Sequence, residues 1–207
     1  KIKINLYGSI QIKNLLMAVL ASKVCGLKLK NIFEKIEKIK SVDGRLQLIR
    51  TLPNQSKIFL DYAQTPDALE NAILSLREHF QKKITVVFGC GGERDKSKRK
   101  LMGIVAKKYC HKIYITDDNP RKENPKKIRK DIIKGCKKNY VNIGSREQAI
   151  KTAIHELKSN EILLVAGKGH ESTQDYGKKV FKFSDKKIIN KLIKKEKFLL
   201  KKNIYNN

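Results

Sequence analysis

The chain has 207 residues, 40% of them hydrophobic, which suffices for one packed domain and part of another. No apolar run reaches the ~18 residues that a membrane span needs. Lys and Arg number 47 against 20 Asp and Glu, a net charge of +27. That excess would suit a polyanion, but lysine is spread over nearly every segment and dominates over arginine, whereas bidentate readers of bases and phosphates are rich in arginine. The charge therefore implies a basic surface with weak, salt-dependent attraction to polyanions more than it does a specific nucleic-acid site. Cys25, Cys90, Cys110 and Cys136 form no C-x-x-C pair and no zinc spacing. They read as small buried residues of a reducing cytoplasm.

Residues 1–45 predict two helices. Leu15, Leu16, Val19 and Leu20 recur at helical spacing, as do Ile32, Ile36 and Ile39, and Gly26 punctuates between them. The apolar run at 15–21 follows basic residues, but its helical period argues against the core of a signal peptide. The chain opens at Lys1 rather than Met, as expected of a piece of a longer protein. Ser41-Val42-Asp43-Gly44-Arg45 reads as a hinge, after which the periodicity changes.

A short strand over 57–60 ends at Asp61, which can accept a ribose hydroxyl or cap nearby N–H groups. Thr65-Pro66 starts a helix, with a capping hydroxyl and proline at the first helical position. That helix runs to about His79, with Leu69, Ile73, Leu76 and Phe80 on its apolar side.

The run Ile84-Thr85-Val86-Val87-Phe88 is a second strand, and it breaks into Gly89-Cys90-Gly91-Gly92. This is not a phosphate loop: no G-x-x-x-x-G-K-[ST] occurs in the chain. The charged run 93–99 leads into a helix through Ile104 and Val105. Arg94 follows the Gly-Gly pair at a strand's carboxyl end, where a guanidinium can bind a carboxylate in bidentate fashion. Either Lys98 or Arg99 can face phosphates across a cleft.

A third strand, 113–115, breaks into Thr116-Asp117-Asp118-Asn119-Pro120-Arg121. An Asp, an Asn and an Arg on a loop stiffened by proline make a clamp of both signs, one end for an ammonium and the other for a carboxylate. A helix follows over 125–138, then a strand at 141–143. Ser145 with Gln148 has capping-box spacing and starts a helix to about Lys158. The most apolar strand, 161–165, is expected at the centre of the sheet. It ends in Ala166-Gly167-Lys168-Gly169-His170-Glu171, where glycines admit a ligand close to the backbone and Glu171 can accept an ammonium. An edge strand over 180–183, a cap at Ser184-Asp185, a helix to about Lys194 and a basic, frayed tail at 195–207 complete the chain.

Strands alternating with helices predict an α/β fold, a Rossmann-like, mostly parallel sheet with helices on both faces. In such sheets the loops at the carboxyl ends of the strands build the ligand site. The stretches FGCGGERDKSKR at 88–99 and TDDNPR at 116–121 resemble motifs of the Mur ligases. Within that family they are most similar to the ligases that add meso-diaminopimelate as the third residue of the peptidoglycan stem peptide. Similarity extends from Gly8 to about Ile193. The resemblance implies that 46–207 is the C-terminal, amino-acid-binding domain and that 1–45 is the tail of the central ATP-binding domain.

It further implies ATP-dependent addition of meso-diaminopimelate to UDP-MurNAc-L-Ala-D-Glu through an acyl phosphate, in the cytoplasm. This chain would be only the C-terminal part of that enzyme, with ATP and Mg2+ bound mainly by the missing central domain. The matching positions give diaminopimelate contacts to Arg94, Asp118, Asn119, Pro120, Arg121, Gly167 and Glu171, and ATP contacts to Arg45 and Asp61. None of these residues does covalent chemistry, and no residue is expected to hold a metal. Two departures stand out. The family's D-Y-A-H-T-P reads DYAQTP here, with Gln64 for His, and its G-x-F-N-x-x-N reads GSIQIKN, with Ile10 for Phe and Gln11 for Asn. Two other classes fit the residues: a diaminopimelate-binding module that does not catalyse, and a basic nucleic-acid-binding protein.

Overall fold

The computed structural model describes residues 4, 6–137 and 139–204, the stretch 195–204 by its backbone alone. Helices α1 (Ser9–Val24) and α2 (Leu29–Ile36) come first. Then follow β1 (Gln47–Thr51), β2 (Lys57–Asp61), α3 (Pro66–Phe80), β3 (Ile84–Phe88), α4 (Ser97–Tyr109) and β4 (Lys112–Ile115). The rest is α5 (Pro125–Cys136), β5 (Tyr140–Asn142), α6 (Arg146–His155), β6 (Ile162–Ala166), β7 (Thr173–Asp175), β8 (Val180–Lys182) and α7 (Asp185–Ile204).

Six strands form one sheet in the order β1-β2-β6-β3-β4-β5. All neighbours are parallel except β1, which runs antiparallel to β2 with a register shift between Leu48 and Arg50. β3 and β6 are buried along their whole length, as their unbroken apolar runs require of strands covered on both faces. Phe59, Val86 and Leu164 point to the side of α3, α4 and α5, where Leu69, Met102 and Ile132 meet them. Leu60, Val87 and Leu163 point to the other side, against Ile150 of α6 and Ile189 of α7. The expected α/β sheet with helices on both faces is the observed one, and 161–165 is an interior strand.

The helix starts follow local chemistry. Thr65 Oγ1 accepts the Ala68 N–H at 3.2 Å, with Pro66 at the first helical position. Ser145 Oγ accepts the Gln148 N–H at 3.3 Å.

Several boundaries differ from the sequence reading. β1 is an additional strand at the sheet's edge, with mixed burial and a polar composition. The strand expected at 180–183 joins no edge of the main sheet; β8 pairs with β7 in a separate hairpin. α6 stops at His155, short of Lys158. α7 continues through the stretch expected to fray, to Ile204, while 205–207 lie outside the described residues. The two N-terminal helices form, but each buries one residue, Leu15 in α1 and Ile36 in α2. Leu16, Met17, Leu20 and Val24 of α1 are exposed. Among the described residues no helix is long and apolar enough to cross a membrane.

Candidate functional site

The carboxyl ends of β2, β6, β3 and β4 lie side by side, so the loops that leave them converge on one end of the sheet. Two of these loops are pressed together where glycine alone fits. A Cβ on Gly89 would lie 2.3 Å from the Thr116 carbonyl oxygen, and one on Gly92 would lie 1.9 Å from that of Pro120. The Gly92 N–H donates to the Asn119 carbonyl at 2.9 Å, and Arg121 Nη1 donates to the Gly92 carbonyl at 2.8 Å. Arg121 itself has φ +51°, a left-handed conformation that costs a non-glycine residue about 1 kcal/mol or more. Its backbone N–H is tied to Asp175 of β7, at 3.0 Å from the carbonyl oxygen. The loop thus fixes the guanidinium at the mouth of the site.

Arg94, Lys98, Asp118, Asn119 and Arg121 border one cavity, together with Gln64 and the glycine loop. Its enclosed part is about 30 Å³, room for a water molecule or two. The Arg94 side chain on its border is exposed. Beside the cavity, Asn119 Nδ2 donates to Glu171 Oε2 at 2.9 Å, and Gln64 Nε2 donates to the Gly167 carbonyl at 3.1 Å. Six of the seven residues expected at an amino-acid site are therefore linked to one another or to the cavity: Arg94, Asp118, Asn119, Arg121, Gly167 and Glu171. Pro120 contributes by the close approach of its carbonyl to Gly92.

Asp118 is buried, and burial pushes its carboxyl above the usual carboxylate range, against the pull of Arg146 and Lys168. Its Oδ1 accepts the Asn119 N–H at 2.9 Å. Its Oδ2 has no hydrogen-bond partner, lies 3.9 Å from Arg146 Nη1, and would be 2.8 Å from a Cβ on Gly167. Gly167, at φ +108°, is thus required both for its backbone angle and for the room it leaves the carboxylate.

The structure also places residues whose role the sequence left open. Arg99 does not face a cleft. It is 1% exposed and paired with Glu123 at 2.9 Å and Asp131 at 3.3 Å, so it ties α4 to α5 and to the loop after β4. Lys98 alone of that pair borders the cavity. Gln64 turns towards the amino-acid cluster, with Nε2 also 3.5 Å from Glu171 Oε1. Asp61 is buried, and its Oδ2 accepts the Leu46 N–H at 2.7 Å, the capping role left open beside the ribose contact. Burial raises its carboxyl pKa, opposed by that hydrogen bond and by Arg45. Arg45 is exposed over the Tyr62 ring at 4.9 Å.

Two charged residues were missed. Lys168 is fully buried behind Asn119 and Glu171, and Arg146 is fully buried beneath Asp118. The signal for Lys168 was a lysine between two glycines at the end of the most apolar strand. Arg146 carried none beyond its place at a helix start. Among the described residues no three His, Cys, Asp or Glu side chains gather as a metal site.

The profile of the Mur ligase glutamate ligase domain matches residues 44–169. The chain is 47% identical over 190 residues to the UDP-N-acetylmuramoyl-L-alanyl-D-glutamate--2,6-diaminopimelate ligase of Rickettsia montanensis, covering 90% of this chain and 39% of that protein. To the ligase of the same name from Haemophilus influenzae it is 42% identical over 186 residues, 88% of this chain and 38% of the other. A solved structure of a ligase of that name superposes with a TM-score of 0.73 at 32% identity, over 94% of this chain and 40% of that one. A folylpolyglutamate synthase from Mycobacterium tuberculosis superposes with a TM-score of 0.64 at 16% identity, a likeness of fold alone. The chain spans 39% of the length of the first of these relatives.

Proposed function

The chain belongs to the Mur ligase family, whose glutamate ligase domain it contains, and we propose that it is the amino-acid-binding part of a ligase that joins meso-diaminopimelate to UDP-MurNAc-L-Ala-D-Glu. Residues 46–207 form that domain, and 1–45 are the tail of the central one. The open apolar face of α1, with Leu16, Met17 and Val24 exposed, supports the second assignment, because a face of this kind is normally covered.

The observation that carries the reading is the two-sign lining of the cavity. Arg94, Lys98 and Arg121 supply fixed positive charge beside the carboxylates of Asp118 and Glu171 and the Asn119 amide. Diaminopimelate has two carboxylates and two amino groups. Each charge it brings out of water needs an opposite partner, and lysine would leave one guanidinium without its carboxylate. The rigid loops orient the amino acid and hold its attacking amine in place, so the contribution of these residues is proximity and charge pairing.

ATP and Mg2+ are the family's cofactors, and when bound they supply the phosphoryl group that activates the glutamyl carboxylate. Towards the nucleotide this chain offers the exposed Arg45 guanidinium and the Asp61 carboxylate, whose Oδ2 is already engaged by Leu46. That pair fits the edge of a nucleotide; it is neither a triphosphate cradle nor a metal centre. A cytoplasmic location follows from substrates of this kind.

The test is kcat/KM for meso-diaminopimelate and for L-lysine in the full-length enzyme that carries this chain. Diaminopimelate should be preferred by orders of magnitude, and the 207-residue chain alone should release no ADP. A preference for lysine, or no turnover of either amino acid, would overturn the proposal.

A further inference from the structure

A lysine with no solvent contact stands only where its ammonium is paired. Lys168 is such a residue: at 0% exposure its Nζ donates to Asn119 Oδ1 at 2.8 Å and to Glu171 Oε2 at 2.7 Å. The backbone turns it inward. Gly167 and Gly169, on either side, have φ +108° and +51°. A Cβ on Gly169 would lie 2.9 Å from Tyr62 Cβ and 3.0 Å from the Gly44 carbonyl oxygen, so the loop is clamped between the hinge and the end of β2.

The ammonium also sets which way the Asn119 amide points. Asn119 Oδ1 accepts from Lys168 and from the Asp175 N–H at 3.0 Å, which leaves Nδ2 to donate to Glu171 at 2.9 Å. A flipped amide would set its N–H donors against an ammonium and a backbone N–H, neither of which accepts. Lys168 does not border the cavity, whereas Asn119 does.

We propose that Lys168 is a positioning residue for the amino-acid site: its buried ammonium bridges Asn119 and Glu171 and holds both in the arrangement that receives the substrate. The proposal rests on reading that site as the diaminopimelate site. Lys168 acts through its two partners and touches no substrate. Without it, Glu171 keeps hydrogen bonds from the Asn119 and Gln64 amides but loses its paired ammonium, and Asn119 loses the contact that orients it.

The experiment is a double-mutant cycle in the full-length enzyme, with Lys168→Met, Glu171→Gln and both together. Lys168→Met should raise KM for diaminopimelate by on the order of tenfold or more, the lower end for breaking a hydrogen-bonded charge pair that is partly open to solvent. KM for ATP should stay within about twofold, and the double variant should lose clearly less than the two single losses combined, because coupled residues do not add. Additive losses, or KM for ATP rising in parallel, would show a general structural role and overturn the proposal. If Lys168→Met does not fold, the cycle is run with Lys168→Gln, which keeps a donor for one partner; failure of both to fold also overturns it. A wild-type enzyme that ignores diaminopimelate would defeat the reading of the site first, whatever the variants do.

Discussion

Arg146 and Asp185 form a bidentate ion pair sealed from solvent: Nε and Nη2 of the arginine each lie 2.8 Å from one carboxylate oxygen. The pair joins the start of α6 to the start of α7, and Nη2 also donates to the Ala166 carbonyl at the end of β6, at 2.9 Å. It therefore anchors the strand end from which the loop at 167–171 departs. Arg146→Met would leave Asp185 a buried carboxylate without its bidentate partner, and would leave Asp118 with Lys168 alone. Breaking one side of such a pair costs about 3–5 kcal/mol. Urea denaturation should show a loss of that size, and Arg146→Met combined with Asp185→Leu should recover part of it, because an apolar pair leaves no stranded charge. A single variant within about 1 kcal/mol of wild type would mean that water reaches the pair.

Gly92 predicts a loss of function that spares the nucleotide. Its Cα faces the Pro120 carbonyl so closely that a Cβ would lie 1.9 Å from the oxygen. Backbone cannot swing aside as a flexible side chain can, so Gly92→Ala must displace the loop that carries Asn119 and Arg121. Overpacking of this kind costs about 1–3 kcal/mol. Diaminopimelate KM should rise by roughly tenfold or more, in line with such a cost, with KM for ATP unchanged. Unaltered amino-acid kinetics would show that the two loops move independently.

What was legible in the chain follows from which forces act locally. Strands β3 and β6 were readable because burial on both faces demands an unbroken apolar run, and Thr65 and Ser145 because a cap is a contact within one turn. Strand β1 was not, since an edge strand half open to solvent needs no such run, nor was the three-residue strand β7, which pairs with β8. Arg94, Asn119 and Arg121 stood out by motif, and the structure brings them to one cavity. Lys168, Arg146 and Arg99 were missed or misdirected for one reason. In a chain with 47 Lys and Arg, a charge bound for the interior looks like its solvated neighbours, and only its partners, up to 49 positions away for Lys168 and Asn119, reveal it.

The cysteines predict alkaline sensitivity. Burial pushes the Cys90 and Cys110 thiols up to about 12 and that of Cys136 to about 11, from 9.0. A raised acid pKa in the folded state leaves stability intact below the unfolded value and takes it away as pH climbs past it. The loss should therefore begin near pH 9 and continue towards the folded values, at up to about 1.4 kcal/mol per pH unit for each thiol kept neutral. Denaturation midpoints at pH 7, 9 and 10.5 would show it, and Cys90→Ala should lessen the slope. Alkylation of the folded chain at pH 8 should label the exposed Cys25 and spare Cys90. Rapid labelling of Cys90 would mean that the glycine loop opens readily.

The Arg121 guanidinium predicts the choice of amino acid. Diaminopimelate differs from lysine by a second carboxylate at the far end of its side chain, and a site that takes it must pair that charge. Arg121 is held for the task by a left-handed backbone, by Asp175 through its N–H, and by the Gly92 carbonyl, which takes one Nη1 donor at 2.8 Å. Nη1 also makes a long contact to the Asn119 carbonyl at 3.5 Å and Nε approaches Asp175 at 3.9 Å, which leaves Nη2 for a ligand. Removing one partner of a charge-assisted pair costs about 2–5 kcal/mol where the other stays buried. Arg121→Ala in the full-length enzyme should therefore lower kcat/KM for diaminopimelate by about 30-fold or more. Lysine should stay a poor substrate in both proteins, because Arg94 still borders the site and would still lack a carboxylate. Kinetics with both amino acids, in wild type and variant, decide it. Unchanged diaminopimelate turnover in Arg121→Ala would remove that residue from the clamp, and a variant that gained lysine use would show Arg121 to be the sole barrier against it.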